Sequence, residues 1–362
     1  MSGSPFLTPD QSRLRRQHAA LRRRRKRVIG LAALLAAATA AIVIALSGSA
    51  STHHHGLGAR ARHAAALKLT AGTPARSPAG LPLSPPALEL AGLSTPALNP
   101  IQLQFHHPPR AGLLVNLATG QVLWQHNPLE RVRIASLTKM MTALLVVRAS
   151  PPDAPVLVTR AAVEAGGSKV GVLPLGRHVP LESMLYGLLL PSGNDAAIAL
   201  AEHVAGTVAA FVGRMNAEAA KLGMGCTHYS SPSGYFNRDN YSCAADLAIL
   251  AHVDASEPRI ASVVHTYSAV LPFPIKGGKL YLYNNNPLLI YKYPGVTGMK
   301  TGYTVEAGRC LVATAERDGV KLGAIVLNSQ EPGVQAKKLL DRGFYDVYHL
   351  PRIPEPEIPP GA

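Results

Sequence analysis

Ser136 and Lys139 have the residue types and the spacing of a nucleophile and its base. They lie three residues apart at the head of an apolar stretch, Ala135 to Val147, which predicts a helix with both side chains on one face. Because most of this helix surface is apolar, we expect the helix to be buried, and burial lowers the pKa of a lysine. A neutral Lys139 could take the proton of the Ser136 hydroxyl and activate it as a nucleophile. The alternative explanation is a helix-capping serine followed by a solvated lysine.

Two later motifs decide between these explanations. The chain continues with Ser192-Gly193-Asn194 and then with Lys300-Thr301-Gly302. Alone, the first motif is typical of a turn and the second of a strand end. In this order after Ser136 and Lys139, they complete the S-x-x-K, S-x-N and K-T-G signature of penicillin-binding proteins and serine β-lactamases. Three motifs in the right order are far more specific than any one of them.

From about Phe105 to Leu350 the chain resembles the D-alanyl-D-alanine carboxypeptidases, the low-molecular-mass penicillin-binding proteins. The resemblance extends beyond the three motifs to the segments around them: Ala135 to Thr142, Leu185 to Ala197, Met215-Asn216-Ala217, Leu222-Gly223-Met224, Ala245 to Ala248, Lys300 to Thr304 and Ala307-Gly308. It implies a bacterial envelope hydrolase that removes the terminal D-alanine from peptidoglycan stem peptides. It also implies that β-lactams such as penicillin, which mimic this substrate, acylate the same serine.

The resemblance implies a role for each motif residue. Ser136 is the nucleophile, Lys139 the base, and Ser192 the relay of a proton to the leaving D-alanine. The substrate-binding residues are Asn194, which holds the peptide amide, Lys300 and Thr301, which bind the terminal carboxylate, and Gly302 and Tyr303 beside them. The backbone N–H groups of Ser136 and Tyr303 are implied to form the oxyanion hole. This chemistry uses no metal ion and no cofactor.

Three other functions fit parts of the pattern. A DD-endopeptidase acting on cross-linked peptides would use the same residues. A catalytically weak penicillin-binding scaffold of the cell wall would keep the fold. A class A β-lactamase uses a glutamate about three dozen residues after the second motif to position the deacylating water. No glutamate occurs between Glu218 and Glu257, so efficient β-lactam hydrolysis is not expected.

One feature departs from the family pattern. Such carboxypeptidases often carry an arginine between the strand that follows K-T-G and the closing helix, where it helps to hold the substrate carboxylate. Here no arginine occurs between Arg317 and Arg342. We therefore expect carboxylate recognition to rest on Lys300 and Thr301, with weak or narrowed carboxypeptidase activity.

The helices and strands predicted around these motifs indicate an α+β domain. Short strands are expected at Ala111–Asn116, Val122–Gln125, Arg309–Ala315 and Val320–Leu327, and helices at Phe211–Leu222 and Ala336–Tyr345. Pro191 to Asn194 interrupts the apolar stretch Met184–Val204, which places the second motif on a loop between two helices. Helices between an N-terminal and a C-terminal group of strands favour one mainly antiparallel sheet flanked by helices. The resemblance implies the same β-lactamase/transpeptidase-like fold.

The N-terminus predicts export. Residues 1–27 hold nine Arg or Lys against one acid, so they supply about +8 of the formal +15, and no nucleic-acid role for the whole chain follows. The run Val28–Leu46 has no charge and is 19 residues long, enough to span a bilayer. The basic flank predicts a signal-anchor over 28–48 with the catalytic part outside the cell membrane. A cleaved signal peptide, cut near Gly48-Ser49-Ala50, would instead give a secreted protein.

The remaining segments complete the expected organisation. Residues 49–104 contain no Phe, Trp or Tyr and many Pro and Ala, so they are predicted to be a disordered linker. The catalytic domain is expected over 105–350 and a proline-rich tail over 351–362. Of the three cysteines, Cys226 and Cys243 flank a loop-rich segment and could pair, whereas Cys310 is predicted to be buried in a strand.

Overall fold

A five-stranded antiparallel sheet forms the centre of the domain, in the strand order β2-β1-β11-β10-β9. The computed structural model describes residues 88–171, 173–235, 239–354 and 357–359. The sheet consists of β1 (Ala111–Asn116), β2 (Val122–His126), β9 (Val296–Thr304), β10 (Gly308–Arg317) and β11 (Val320–Ser329). Three two-stranded ladders pair β3 (Val132–Arg133) with β6 (Tyr241–Ser242), β4 (Pro155–Leu157) with β5 (His178–Pro180), and β7 (Ser268–Pro272) with β8 (Lys279–Tyr283).

Helices cover both faces of this sheet. Their bounds are α1 (Lys139–Ala149), α2 (Arg160–Glu164), α3 (Leu181–Leu189), α4 (Asn194–Ala205), α5 (Val208–Lys221), α6 (Ala244–Ser256), α7 (Pro258–His265), α8 (Pro287–Ile290) and α9 (Pro332–Asp341). Short 3₁₀ turns lie at Pro96–Leu98 and Ala135–Thr138, and α9 continues into a π-helical turn at Arg342–Val347.

The alternation of side chains along the strands explains the two cores. In β1, Leu113 points into the core formed with the main group of helices, whereas Leu114 points to the opposite face. On that opposite face Leu339 and Phe344, from α9 and the turn after it, pack on the sheet. Since successive strand residues face opposite sides, a strand that is apolar throughout must be covered on both. The expected antiparallel sheet flanked by helices is confirmed.

The β9 strand lies at one edge of the sheet and carries the third motif. In its register with β10, Thr301 is opposite Leu311, Gly302 opposite Cys310 and Tyr303 opposite Arg309. Its other edge borders the 3₁₀ turn at Ala135–Thr138, where a Cβ added to Gly302 would lie 2.9 Å from the Ile134 carbonyl oxygen and 3.2 Å from the Ser136 nitrogen. Glycine at this position therefore lets the strand edge approach the turn that bears Ser136.

Most of the predicted elements are confirmed, with shifted boundaries. The strands around Ala118-Thr119-Gly120 and the loop between α3 and α4 are where the sequence predicted them. Ser136, however, lies on the 3₁₀ turn before α1 rather than within the helix itself. The closing helix begins at Pro332, four residues before the expected Ala336.

The ends of the domain differ from the expected linker and tail. Leu88 and Ile101, both within the predicted linker, are buried, and the Ile101 N–H donates to the Leu123 carbonyl at 3.0 Å. In the predicted tail, Ile358 is buried against the α9 side of the sheet. Isolated apolar residues can therefore pack onto existing strands even where the local composition could not form a core.

The basic leader, the expected signal-anchor over 28–48 and the linker up to residue 87 lie outside the described residues. Within the described ranges, no single helix is long and apolar enough to cross a membrane. The pair α4 and α5, bent by 84°, meets the length and composition criterion only when taken together.

Candidate active site

The Lys139 side chain is fully buried, and its amine is held by three groups. Its Nζ lies 2.9 Å from Ser136 Oγ. It donates to Asn194 Oδ1 at 2.7 Å and to the Ser233 carbonyl oxygen at 2.9 Å. An amide oxygen and a carbonyl oxygen can only accept hydrogen bonds. A neutral amine would thus give its two N–H groups to these oxygens and leave its lone pair for the Ser136 hydroxyl.

The electrostatics around Lys139 favour this neutral form. Burial is the main cause that holds its pKa well below the ordinary lysine value, and the positive charge of Lys300 adds to this effect. The carboxylate of Asp195 opposes the shift. Because an opposite charge nearby favours the protonated amine, Asp195 limits how far the pKa falls.

The Lys139 site depends on a segment that comes nearly 100 residues later. The Thr142 hydroxyl on α1 donates to the Pro232 carbonyl at 2.7 Å, next to the Ser233 carbonyl that accepts from Lys139. Gly234 has a φ of +75°, and a Cβ there would overlap the Ala135 carbonyl oxygen. The segment can therefore lie against the 3₁₀ turn only with glycine at this position. The sequence offered only the turn-forming pattern Ser-Pro-Ser-Gly as a signal for it.

Ser192 and Asn194 occupy different environments. Ser192 has a left-handed φ of +67° and lines the cavity beside Ser136. Its buried hydroxyl has no hydrogen-bond partner within the described part of the chain. A strained residue with an orphan hydroxyl is a feature that folded proteins keep mainly at functional sites.

Asn194 does not line this cavity. It is the first residue of α4 and is buried; its Oδ1 accepts from Lys139, and its Nδ2 donates to the Gly166 carbonyl at 2.7 Å. These contacts make Asn194 a partner of the base. The substrate-binding role that the resemblance implies for it stays a prediction. The next residue, Asp195, accepts from the backbone N–H of Val170 at 2.9 Å and holds the adjoining loop.

The third motif divides between the cavity wall and the interior. Thr301, Gly302 and Tyr303 line the cavity, whereas Lys300 is buried behind it. The Lys300 Nζ donates to the Thr301 carbonyl at 3.0 Å, and burial lowers its pKa to about 7.

The cavity has a volume of about 650 Å³ and connects these groups. Its wall combines polar side chains from Ser136, Ser168, Ser192 and Asn285 with apolar ones from Ile290 and Leu311. A nucleophile, its base and an edge strand beside one cavity can perform acyl transfer on an extended peptide.

A separate cluster contains two thiols and a carboxylate. Ligand atoms of Cys226, Cys243 and Asp246 lie within 4.8 Å of one another. One Asp246 oxygen already accepts from the Cys226 N–H at 2.8 Å and from the Thr227 hydroxyl at 2.7 Å. Burial raises the pKa of the Cys243 thiol, which opposes the thiolate form that a metal ion requires. We assign no metal to this cluster.

Comparisons with known proteins agree with the geometry of the site. Residues 102–331 match the model of the D-alanyl-D-alanine carboxypeptidase family. The chain is 35% identical to D-alanyl-D-alanine carboxypeptidase DacF of Bacillus subtilis over 257 residues, which are 68% of this chain and 65% of DacF. It is 33% identical to D-alanyl-D-alanine carboxypeptidase of Streptomyces sp. strain K15, over 64% of this chain and 86% of that protein. This chain belongs to the D-alanyl-D-alanine carboxypeptidase family.

Solved structures of relatives have the same fold. A serine-to-alanine mutant of the Streptomyces K15 DD-transpeptidase superposes with a TM-score of 0.62 at 33% identity, over 67% of this chain and 99% of that chain. The D-alanyl-D-alanine carboxypeptidase from Mycobacterium tuberculosis H37Rv gives a TM-score of 0.63 at 32% identity, over 68% and 96%. The domain therefore has a transpeptidase-like fold. The match spans slightly less than two thirds of the length of DacF and 61% of that of DacC from Escherichia coli.

Proposed function

We propose that this chain is a serine-type D-Ala-D-Ala carboxypeptidase that removes the terminal D-alanine of peptidoglycan stem peptides through an acyl-enzyme on Ser136. The observation that supports this most strongly is the contact of the buried Lys139 amine, whose pKa is lowered by burial, with the Ser136 hydroxyl at the edge of a cavity. Family membership and the names of the relatives agree with it.

The first step is attack by Ser136. Lys139 takes the hydroxyl proton as Oγ bonds to the carbonyl carbon of the scissile amide. The negative charge that develops on the carbonyl oxygen would be stabilised by the backbone N–H groups of Ser136 and Tyr303. The close approach of Gly302 to the Ser136 nitrogen is what brings these two backbone segments to one point.

The second step is departure of D-alanine, whose nitrogen must gain a proton. We assign the relay to Ser192, because its orphan hydroxyl lines the same cavity as Ser136. Water then hydrolyses the acyl-enzyme and regenerates the serine. Asn194 serves as an acceptor that orients the amine of Lys139, a role that agrees with its 2.7 Å contact.

Release of D-alanine tests this function directly. Wild-type protein incubated with purified muropeptides should shorten pentapeptides to tetrapeptides by one D-alanine, which mass spectrometry detects. Products joined to a second peptide would instead identify a transpeptidase, the activity for which the Streptomyces K15 enzyme is named. Cleavage confined to cross-linked dimers would identify an endopeptidase. Absence of any turnover and of any penicillin adduct would identify a scaffold.

We further infer that residues 28–48 anchor the protein in the cell membrane, with residues 1–27 in the cytoplasm and the catalytic domain outside. The support is the uncharged run Val28–Leu46 after a basic leader. Full-length protein should fractionate with membranes, and a chain that starts near Ala50 should be soluble. Recovery from cells of only a form shortened near residue 50 would show a cleaved signal peptide instead.

A further inference from the structure

Arg309 is the one charged side chain among the described residues that line the cavity. The other lining side chains are hydroxyl, amide, thiol or apolar groups. The two lysines of the signature are both buried behind this wall, and both engage protein acceptors: Lys139 binds Asn194 and Ser233, and Lys300 binds the Thr301 carbonyl. The positive charge that the cavity itself presents is therefore that of Arg309.

The backbone places Arg309 beside the substrate-binding edge. It lies on β10 directly opposite Tyr303, one position along from the pair formed by Gly302 and Cys310. Its Nη1 donates to the Gln330 carbonyl at 3.0 Å. This contact fixes an exposed guanidinium against the connection between β11 and α9, the segment in which the sequence contains no arginine.

The two cations near β9 differ in how they can hold a carboxylate. A guanidinium presents N–H groups in a planar fork that matches a carboxylate, and it stays charged at every physiological pH. Burial lowers the pKa of Lys300 to about 7, so Lys300 is charged in only a fraction of the protein molecules at neutral pH. Arg309 is thus the cation of this cavity that stays fully charged at neutral pH and can bind a carboxylate there.

We propose that Arg309 determines specificity by binding the free C-terminal carboxylate of the substrate in this cavity, and that it thereby selects free-acid peptides over C-terminally amidated ones. This inference rests on the proposed function. It changes the expectation that recognition depends on Lys300 and Thr301 alone. Arg309 acts on binding, and the acyl transfer itself stays with Ser136 and Lys139.

The test compares D-Ala-D-Ala peptides that end in a carboxylate with the same peptides ending in a carboxamide. Wild-type protein should favour the free acid in kcat/KM. Arg309→Gln should lose about 10- to 100-fold on the free acid, mainly through KM, because a charge-assisted hydrogen bond is lost. It should change by less than about threefold on the amide, where no charge is bound. Arg309→Lys keeps the charge without the planar fork, so its kcat/KM on the free acid should lie between those of wild type and Arg309→Gln.

Arg160→Gln provides the matched control. Arg160 is an exposed arginine on α2 that pairs with Glu164 and does not line the cavity, so both substrates should be turned over as by wild type. An equal loss of kcat/KM on both substrates in Arg309→Gln would indicate a structural role and overturn the proposal. A ratio of kcat/KM on the free acid to kcat/KM on the amide that is the same as in wild type would also overturn it. If the glutamine variant does not fold, this ratio in Arg309→Lys decides by the same criterion. Wild-type protein that turns over neither peptide would instead refute the proposed function, which separates the two failures.

Discussion

Replacement of Lys300 by methionine should stabilise the fold at neutral pH. The pKa of Lys300 is lowered from 10.5 to about 7 because the side chain is buried. The unfolded chain therefore binds more protons than the folded one between pH 7 and 10.5, so stability rises with pH across this window. Below pH 7 the folded protein bears the full cost of the buried charge, and above 10.5 the cost is absent.

The size of this effect follows from the two pKa values. At 1.36 kcal/mol per pH unit, the difference amounts to about 4 kcal/mol at pH 7. The methionine variant also loses the hydrogen bond to the Thr301 carbonyl, which contributes about 1 kcal/mol. The net gain in the free energy of unfolding is then about 3 kcal/mol, as an upper estimate. Loss of the Lys300 charge also raises the pKa of Lys139, which acts in the same direction.

Urea unfolding of wild-type and Lys300→Met protein at pH 7 and pH 10.5 measures this difference. The variant should have the higher midpoint at pH 7, with an unchanged slope, and most of its advantage should disappear at pH 10.5. An equal advantage at both pH values would show that the gain is unrelated to charge. A variant less stable than wild type at pH 7 would refute the assignment of Lys300 as a destabilising buried cation.

Three further outcomes are expected. Lys139→Arg cannot deprotonate and should be acylated by penicillin orders of magnitude more slowly than wild type. The acylation rate of wild type should rise with pH as Lys139 loses its proton. Near-normal acylation of the variant would exclude Lys139 as the base. Gly234→Ala should lower both the melting temperature and the acylation rate, because the new Cβ would overlap the Ala135 carbonyl. The control Gly213→Ala lies in open space on α5 and should raise stability by about 0.5 to 1 kcal/mol. Equal behaviour of the two variants would contradict the packing of Gly234 against Ala135. Oxidised glutathione should join Cys226 to Cys243 in a disulfide and so lower the number of free thiols from three to one. A count that stays at three would show that this disulfide does not form.

The sequence was most informative where a pattern is local. The spacing of Ser136 and Lys139 predicted their contact, because residues three apart share a helical face whether the turn is α or 3₁₀. The apolar segments Arg309–Ala315 and Val320–Leu327 predicted strands of the sheet, and the apolar character of the Ser136 helix predicted that Lys139 is buried. The expected β-lactamase/transpeptidase-like fold agrees with the antiparallel sheet and its flanking helices.

Contacts between distant segments were not predictable from the residues alone. The Ser233 carbonyl that holds Lys139 is 94 positions away, and a turn sequence does not say which surface it packs against. The sequence placed Asn194 on the loop between two helices, whereas it is the first residue of α4. Its use as a partner of Lys139 depends on how two helices pack. Arg309 gave no signal, because a charged residue near the end of a strand is ordinary until the register places it beside a cavity.

Covalent labelling by a fluorescent penicillin, followed by mass spectrometry of the labelled peptide, tests the acyl-transfer mechanism most directly. Wild-type protein should form a lasting adduct on Ser136, because no glutamate between Glu218 and Glu257 is present to drive rapid deacylation. Ser136→Ala removes only the nucleophile and should remain folded but unlabelled. An adduct in the alanine variant, or an adduct mapped to Ser192 in the wild type, would contradict the assignment of Ser136 as the nucleophile.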